Sequence, residues 1–108
     1  MKTIVITLLI ALTFALNPPA LAADTANGAK IFSVQCAGCH INGGNIVRRG
    51  KTLKLNALKR NHMDSQEAIA TLVANGKNNM SAYKDRLSAK QIEDVATYVL
   101  RQAEQGWR

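Results

Sequence analysis

A chain of 108 residues has room for one domain and no second. Its formal charge of +7 suggests partners with an acidic face, and the spread of positive residues from Lys30 to Arg108 argues against a nucleic-acid-binding stripe. Two cysteines are too few for the disulfide framework that staples many small secreted domains.

The first stretch reads as an address. Lys2 precedes an apolar run from Ile4 to Leu16, broken only by Thr7 and Thr13. Pro18 and Pro19 stop any helix there, and Ala20-Leu21-Ala22 supplies the small residues of a cleavage site. The run is shorter than the roughly 20 residues a spanning helix needs. Residues 1–22 are therefore expected to be a secretory signal. Residues 23–108 are expected to be an exported, anchorless domain, and the export signal is a second argument against nucleic acid. A domain this small has little core for its surface, and a buried cofactor would supply one.

The mature chain reads as helices joined by loops, an all-α pattern of four to five helices. The first helix is expected to start at Asp24 or Thr25, either of which can cap it, and to end near Cys36. Gly28, Phe32 and Cys36 recur every fourth residue and share one face. Residues 41–51 carry Asn42, Gly43, Gly44, Asn45 and Gly50, which is loop chemistry. A short helix is expected over 52–60, with Leu55 and Leu58 inward. The next begins at Asp64 or Ser65, with Asp64 and Glu67 at capping-box spacing. Its apolar face is Ile69, Leu72 and Val73, and Asn75-Gly76 ends it. Residues 77–87 read as loop. The last helix opens on a Ser88/Gln91 capping box, repeats Ile92, Val95, Ala96, Val99 and Ala103 at helical spacing, and closes at Gly106. Arg48, Arg49, Lys51, Lys54, Lys59 and Arg60 form the one dense group of cations, suited to a solvated surface or to docking.

Chemistry concentrates in Cys36-Ala37-Gly38-Cys39-His40, a C-x-x-C-H run. Two thiols three positions apart on one turn can each bond one vinyl group of a porphyrin, and the following histidine then lies under the iron. The run is a c-type haem attachment signal, so one covalent haem c is expected on Cys36 and Cys39, with His40 as an iron ligand. A zinc site would need further ligands, and His62 is the only other histidine. A thioredoxin-like pair needs a βαβ context that is absent from the pattern. For a sixth ligand the chain offers Met80, in the polar stretch Asn75-Gly76-Lys77-Asn78-Asn79-Met80-Ser81, then Met63, then His62.

Taken together, these segments resemble the cytochrome c6 family, small class I cytochromes of cyanobacteria and algae. The resemblance is carried by Asn27-Gly28-Ala29-Lys30-Ile31-Phe32, by the haem run followed by Gly43-Gly44-Asn45, by the loop ending in Met80, by Arg86-Leu87 through Leu100, and by Gly106-Trp107. It implies a class I cytochrome c fold around one covalent haem, with Met80 as sixth ligand and Gly28 and Phe32 packed on Val95 and Tyr98. It implies a monomeric single-electron carrier and no enzyme activity. Its partners would be the cytochrome b6-f complex and photosystem I or a terminal oxidase, met by transient electrostatic docking in the thylakoid lumen or the periplasmic space. Arg86 matches a docking arginine of the family. Ser81 stands where the family usually has proline. Leu72 stands where it often has glutamine, a departure shared with divergent lower-potential c6-like subgroups. The alternative is a haem-based sensor or peroxidase-like protein with a displaceable sixth ligand, but five aromatic residues and no distal His or Arg arrangement speak against it.

Overall fold

The structure is a computed structural model that describes residues 22–108, so the expected signal segment lies outside the described residues except for Ala22. Five α-helices follow: α1 (Thr25–Gln35), α2 (Ala37–His40), α3 (Leu55–Arg60), α4 (Gln66–Asn75) and α5 (Ala89–Glu104). Two single 3-10 turns, Ile41–Gly43 and Arg49–Lys51, shape the loop between α2 and α3.

The fold is organised by α5. Its capping box is complete: Gln91 N–H donates to Ser88 Oγ at 3.1 Å, and Ser88 N–H donates to Gln91 Oε1 at 2.8 Å. Ile92, Val95, Ala96, Val99 and Ala103 are all buried, as their spacing requires. Burying each of the larger ones contributes about 1.5–3 kcal/mol. One side of α5 receives α1 and another receives α4. The α1 contact is close because Gly28 has no side chain. A β-carbon there would run into the Asp94 carbonyl and Tyr98 Cβ. Phe32 fills the space beyond, its ring 5.5 Å from Tyr98 and 5.2 Å from Trp107.

A buried carboxylate fastens the same contact. Asp94 is 2% exposed and accepts from the Asp24 amide at 2.8 Å, Asn27 Nδ2 at 3.1 Å and Lys90 Nζ at 2.6 Å. Burial by itself would push its pKa up. The Lys90 ammonium, the Asp24 amide and the Asn27 amide outweigh burial and hold the carboxyl below its ordinary value.

Three local expectations shift. The helix expected over 52–60 starts at Leu55, because Leu53 is tied outside it: its N–H donates to Gly43 O at 2.7 Å and its carbonyl accepts from Trp107 Nε1 at 2.9 Å. α4 is capped by Ser65, whose Oγ accepts from Ala68 N–H at 3.1 Å, so the Asp64/Glu67 box does not form. Leu72 leaves the core face to Ile69 and Val73 and is only half-buried. At the end of α4, Gly76 takes φ +69° and ψ 174°, a region open to glycine and to almost nothing else.

Candidate functional site

α1 does not run straight into α2. Cys36 closes the first helix and opens the second at φ −118°, its N–H donating to Phe32 O at 2.9 Å. His40 N–H then donates to Cys36 O at 2.9 Å. Cys36, Cys39 and His40 thereby occupy a single turn. Both thiols are free, Cys36 half-buried and Cys39 exposed. Burial pushes the Cys36 thiol up to about 11, so it stays neutral at ordinary pH. A reactive redox pair needs the opposite shift.

The imidazole of His40 is oriented by its loop. Nδ1 lies 2.8 Å from Gly44 O. A carbonyl only accepts, so the proton sits on Nδ1 and the lone pair on Nε2, the arrangement of a metal-bound histidine. The loop supplying that carbonyl is tied at several points. Gly44 N–H donates to Ile41 O at 2.9 Å, Ile46 N–H donates to Cys39 O at 3.0 Å, and Gly43, at φ +77°, lies beneath the Trp107 ring. No β-carbon would fit there.

Met80 ends a four-residue turn. Met80 N–H donates to Lys77 O at 2.9 Å and Lys77 N–H donates to Met80 O at 3.0 Å, with Asn78 at φ 52° between them. The side chain is half-buried against the core. Gly76 lies under the turn, where a β-carbon would meet the Met80 carbonyl. Tyr83 carries the chain onward: its N–H donates to Val73 O at 2.9 Å, and its hydroxyl donates to Gln35 O at 3.0 Å. That hydroxyl bond joins the segment after Met80 to the residue before Cys36. Arg86 is exposed and stacks on the Tyr83 ring at 4.8 Å.

Leu72 lines an open hollow of about 510 Å³ together with Met63, Ala68, Thr71 and Gly76. Gly76 therefore borders both the hollow and the Met80 turn. Met63 is half-buried, whereas His62 is exposed at φ 57°. Asp94, Tyr83 and the Trp107–Gly43 contact carry no sequence signature of their own and emerge only from the fold. Among the described residues, no three His, Cys, Asp or Glu side chains converge to hold a metal ion. Among them, too, no helix is long and apolar enough to cross a membrane.

Comparison with known proteins decides the family. The family described as cytochrome c oxidase, cbb3-type, subunit III matches residues 23–99. A cytochrome c6-like protein of Nostoc sp. is 61% identical over the whole chain and 96% of its own length. Cytochrome c6 of Thermosynechococcus vestitus is 56% identical, covering 91% of this chain and 88% of that one. The chain belongs to the cytochrome c6 family. Among solved structures, cytochrome c6C of Synechococcus sp. is 58% identical with a TM-score of 0.72, covering 73% of this chain and 96% of that one. Oxidised cytochrome c6A of Arabidopsis thaliana is 33% identical with a TM-score of 0.76, covering 82% and 98%. As a member of that family the protein is an electron carrier and not an enzyme, with one covalently bound haem c in a class I cytochrome fold. The residues present fit that group: two free cysteines on one turn, followed by an imidazole whose Nε2 is left free by the bond at Nδ1.

Proposed function

We propose that this protein is a soluble, exported single-electron carrier in which Cys36 and Cys39 hold the haem through thioether bonds, and His40 and Met80 ligate its iron. The observation that carries the reading is the His40–Gly44 bond on the turn that bears both thiols. Haem c supplies a one-electron iron couple when bound. The chain's part is to hold both ligands still. His40 is fixed in one tautomer by Gly44, and Met80 is fixed by a turn that closes on its own backbone. Two protein ligands leave no position for an outside molecule, which suits transfer of electrons and not of atoms. Thioether ligation also raises the potential.

The leader-like residues 1–22 support export to the thylakoid lumen or the periplasmic space. The resemblance supports the cytochrome b6-f complex as donor and photosystem I or a terminal oxidase as acceptor, with Arg86 near the contact. The basic surface supports brief electrostatic encounters with a small interface. Leu72 supports a potential below that of relatives with glutamine at this position.

The test is spectroscopic. The oxidised holoprotein is expected to show the methionine-to-iron charge-transfer band, and the reduced form is expected not to bind carbon monoxide readily. Absence of the band together with ready carbon monoxide binding would overturn the carrier reading in favour of a sensor with an open sixth site.

A further inference from the structure

Cations run the length of the mature chain, but their excess over carboxylates does not. Between Asp24 and Asp64 there is no carboxylate, while Lys30, Arg48, Arg49, Lys51, Lys54, Lys59 and Arg60 all lie there. From Asp64 onward six cations meet six carboxylates. The excess therefore belongs to one half of the chain, and six of its seven cations fall within residues 48–60. All six are exposed. The one ion pair among the described residues, Lys90–Asp94, lies elsewhere.

This segment is also prepared as a surface. Asn45 Oδ1 accepts from Val47 N–H at 2.9 Å and Arg48 N–H at 2.8 Å, and Asn45 Nδ2 donates to Lys51 O at 3.0 Å. Asn61 closes the other end, donating to Gly50 O at 3.1 Å and Ala57 O at 2.9 Å. Lys51 and Lys54 bond neutral oxygens, Asn61 Oδ1 and Asn42 O, so their charge stays uncompensated. The segment starts against the candidate attachment turn, because Ile46 N–H donates to Cys39 O.

We propose that this ridge, Arg48 to Arg60, is the principal docking surface of the carrier and that its occupant is the acidic face of a redox protein. The proposal rests on the carrier reading above. It makes the ridge, and not Arg86 beside Asp85, the main source of electrostatic steering. Charge complementarity selects an acidic partner. A protein face fits better than a bilayer or a nucleic acid, because no aromatic residue occurs from Ser33 to Ala82 to anchor at a lipid interface or to stack on bases.

The test uses the holoprotein and a reduced plant-type [2Fe–2S] ferredoxin, an acidic one-electron donor, in stopped flow across a range of ionic strength. Two ridge variants, Arg48→Gln with Arg49→Gln and Lys59→Gln with Arg60→Gln, are compared with Lys84→Gln plus Arg101→Gln, which removes the same charge elsewhere. Each ridge variant is expected to slow the second-order rate at low salt by about tenfold and to flatten its salt dependence. The control pair is expected to change it less than about twofold, as distant screened charges do. Equal effects of ridge and control pairs would overturn the proposal, since net charge alone would then account for steering. An unchanged ferredoxin rate with lost binding to vesicles of anionic lipid would overturn it in favour of a membrane surface. The midpoint potential and the methionine–iron band, measured on the same samples, keep the two readings apart: a reversible one-electron couple with the band intact leaves the carrier standing whatever the ridge does.

Discussion

The contact between α1 and α5 is closed by bonds to the Asp94 side chain that span 67 and 70 residues of sequence, whereas the Met80 turn is closed by its own backbone within four residues. In the first, a glycine admits a helix backbone, aromatic rings fill the gap, and a buried carboxylate binds three donors. In the second, two short hydrogen bonds and one tyrosine hydroxyl do the holding. The difference separates scaffold from site. Opening the helix contact is expected to undo the fold, while the turn is expected to open with the fold intact, as locally closed segments do.

The helix contact breaks hardest at Gly28. Gly28→Val is expected to lower stability by about 3 kcal/mol, because the added atoms meet backbone that cannot swing away. Denaturant unfolding of the holoprotein checks this, and a loss under about 1 kcal/mol would show that α1 can shift. Next comes Asp94. Asp94→Ala removes the shared acceptor of the Asp24 amide and the Asn27 amide and breaks the Lys90 ion pair, and is expected to cost about 2 kcal/mol at neutral pH. The pH sense follows from the depressed carboxyl. Its contribution is full above the ordinary carboxylate value of 3.8 and is lost as pH falls through the lower folded value. Asp94→Asn should therefore flatten the acid limb of a stability–pH curve, and an unaltered limb would remove Asp94 from the account.

On the turn side the expected effects on global stability are smaller and the spectral ones larger. Tyr83→Phe keeps the ring and deletes one hydrogen bond, for a global loss of about 1 kcal/mol or less. The methionine–iron band of the oxidised holoprotein should nevertheless bleach at a lower temperature, well before unfolding. Bleaching and unfolding that move together would mean that the turn and the scaffold are one unit. Leu72→Gln is expected to leave stability nearly unchanged and to raise the midpoint potential. The sign comes from the resemblance, since burial alone would disfavour the more charged oxidised state, and redox titration decides it.

Most of the scaffold was legible because its signals are local. Ser88 and Gln91 announced α5, and the repeat from Ile92 to Ala103 gave its buried face. The Cys36–His40 run was equally legible, since its spacing is the chemistry. What was not legible depends on distant partners. Asp94 reads in sequence as one more polar residue on an amphipathic helix, and only the arrival of Asp24 and Asn27 makes it a buried hub. Leu53 reads as the first turn of a helix, but its bonds to Gly43 and Trp107 hold it outside the helix. Asp64 and Ser65 both read as caps, and Ser65 takes the role by bonding Ala68 N–H. The hydroxyl of Tyr83, 48 residues from its acceptor, had no sequence signal.

Trp107 gives the molecule an uncommon remote sensitivity. Loss of its indole would uncover Gly43 and free the carbonyl of Leu53. Gly43 is the neighbour of Gly44, whose own carbonyl fixes the tautomer of His40. Oxidative damage to one indole ring would thus be felt first at the proposed iron ligand.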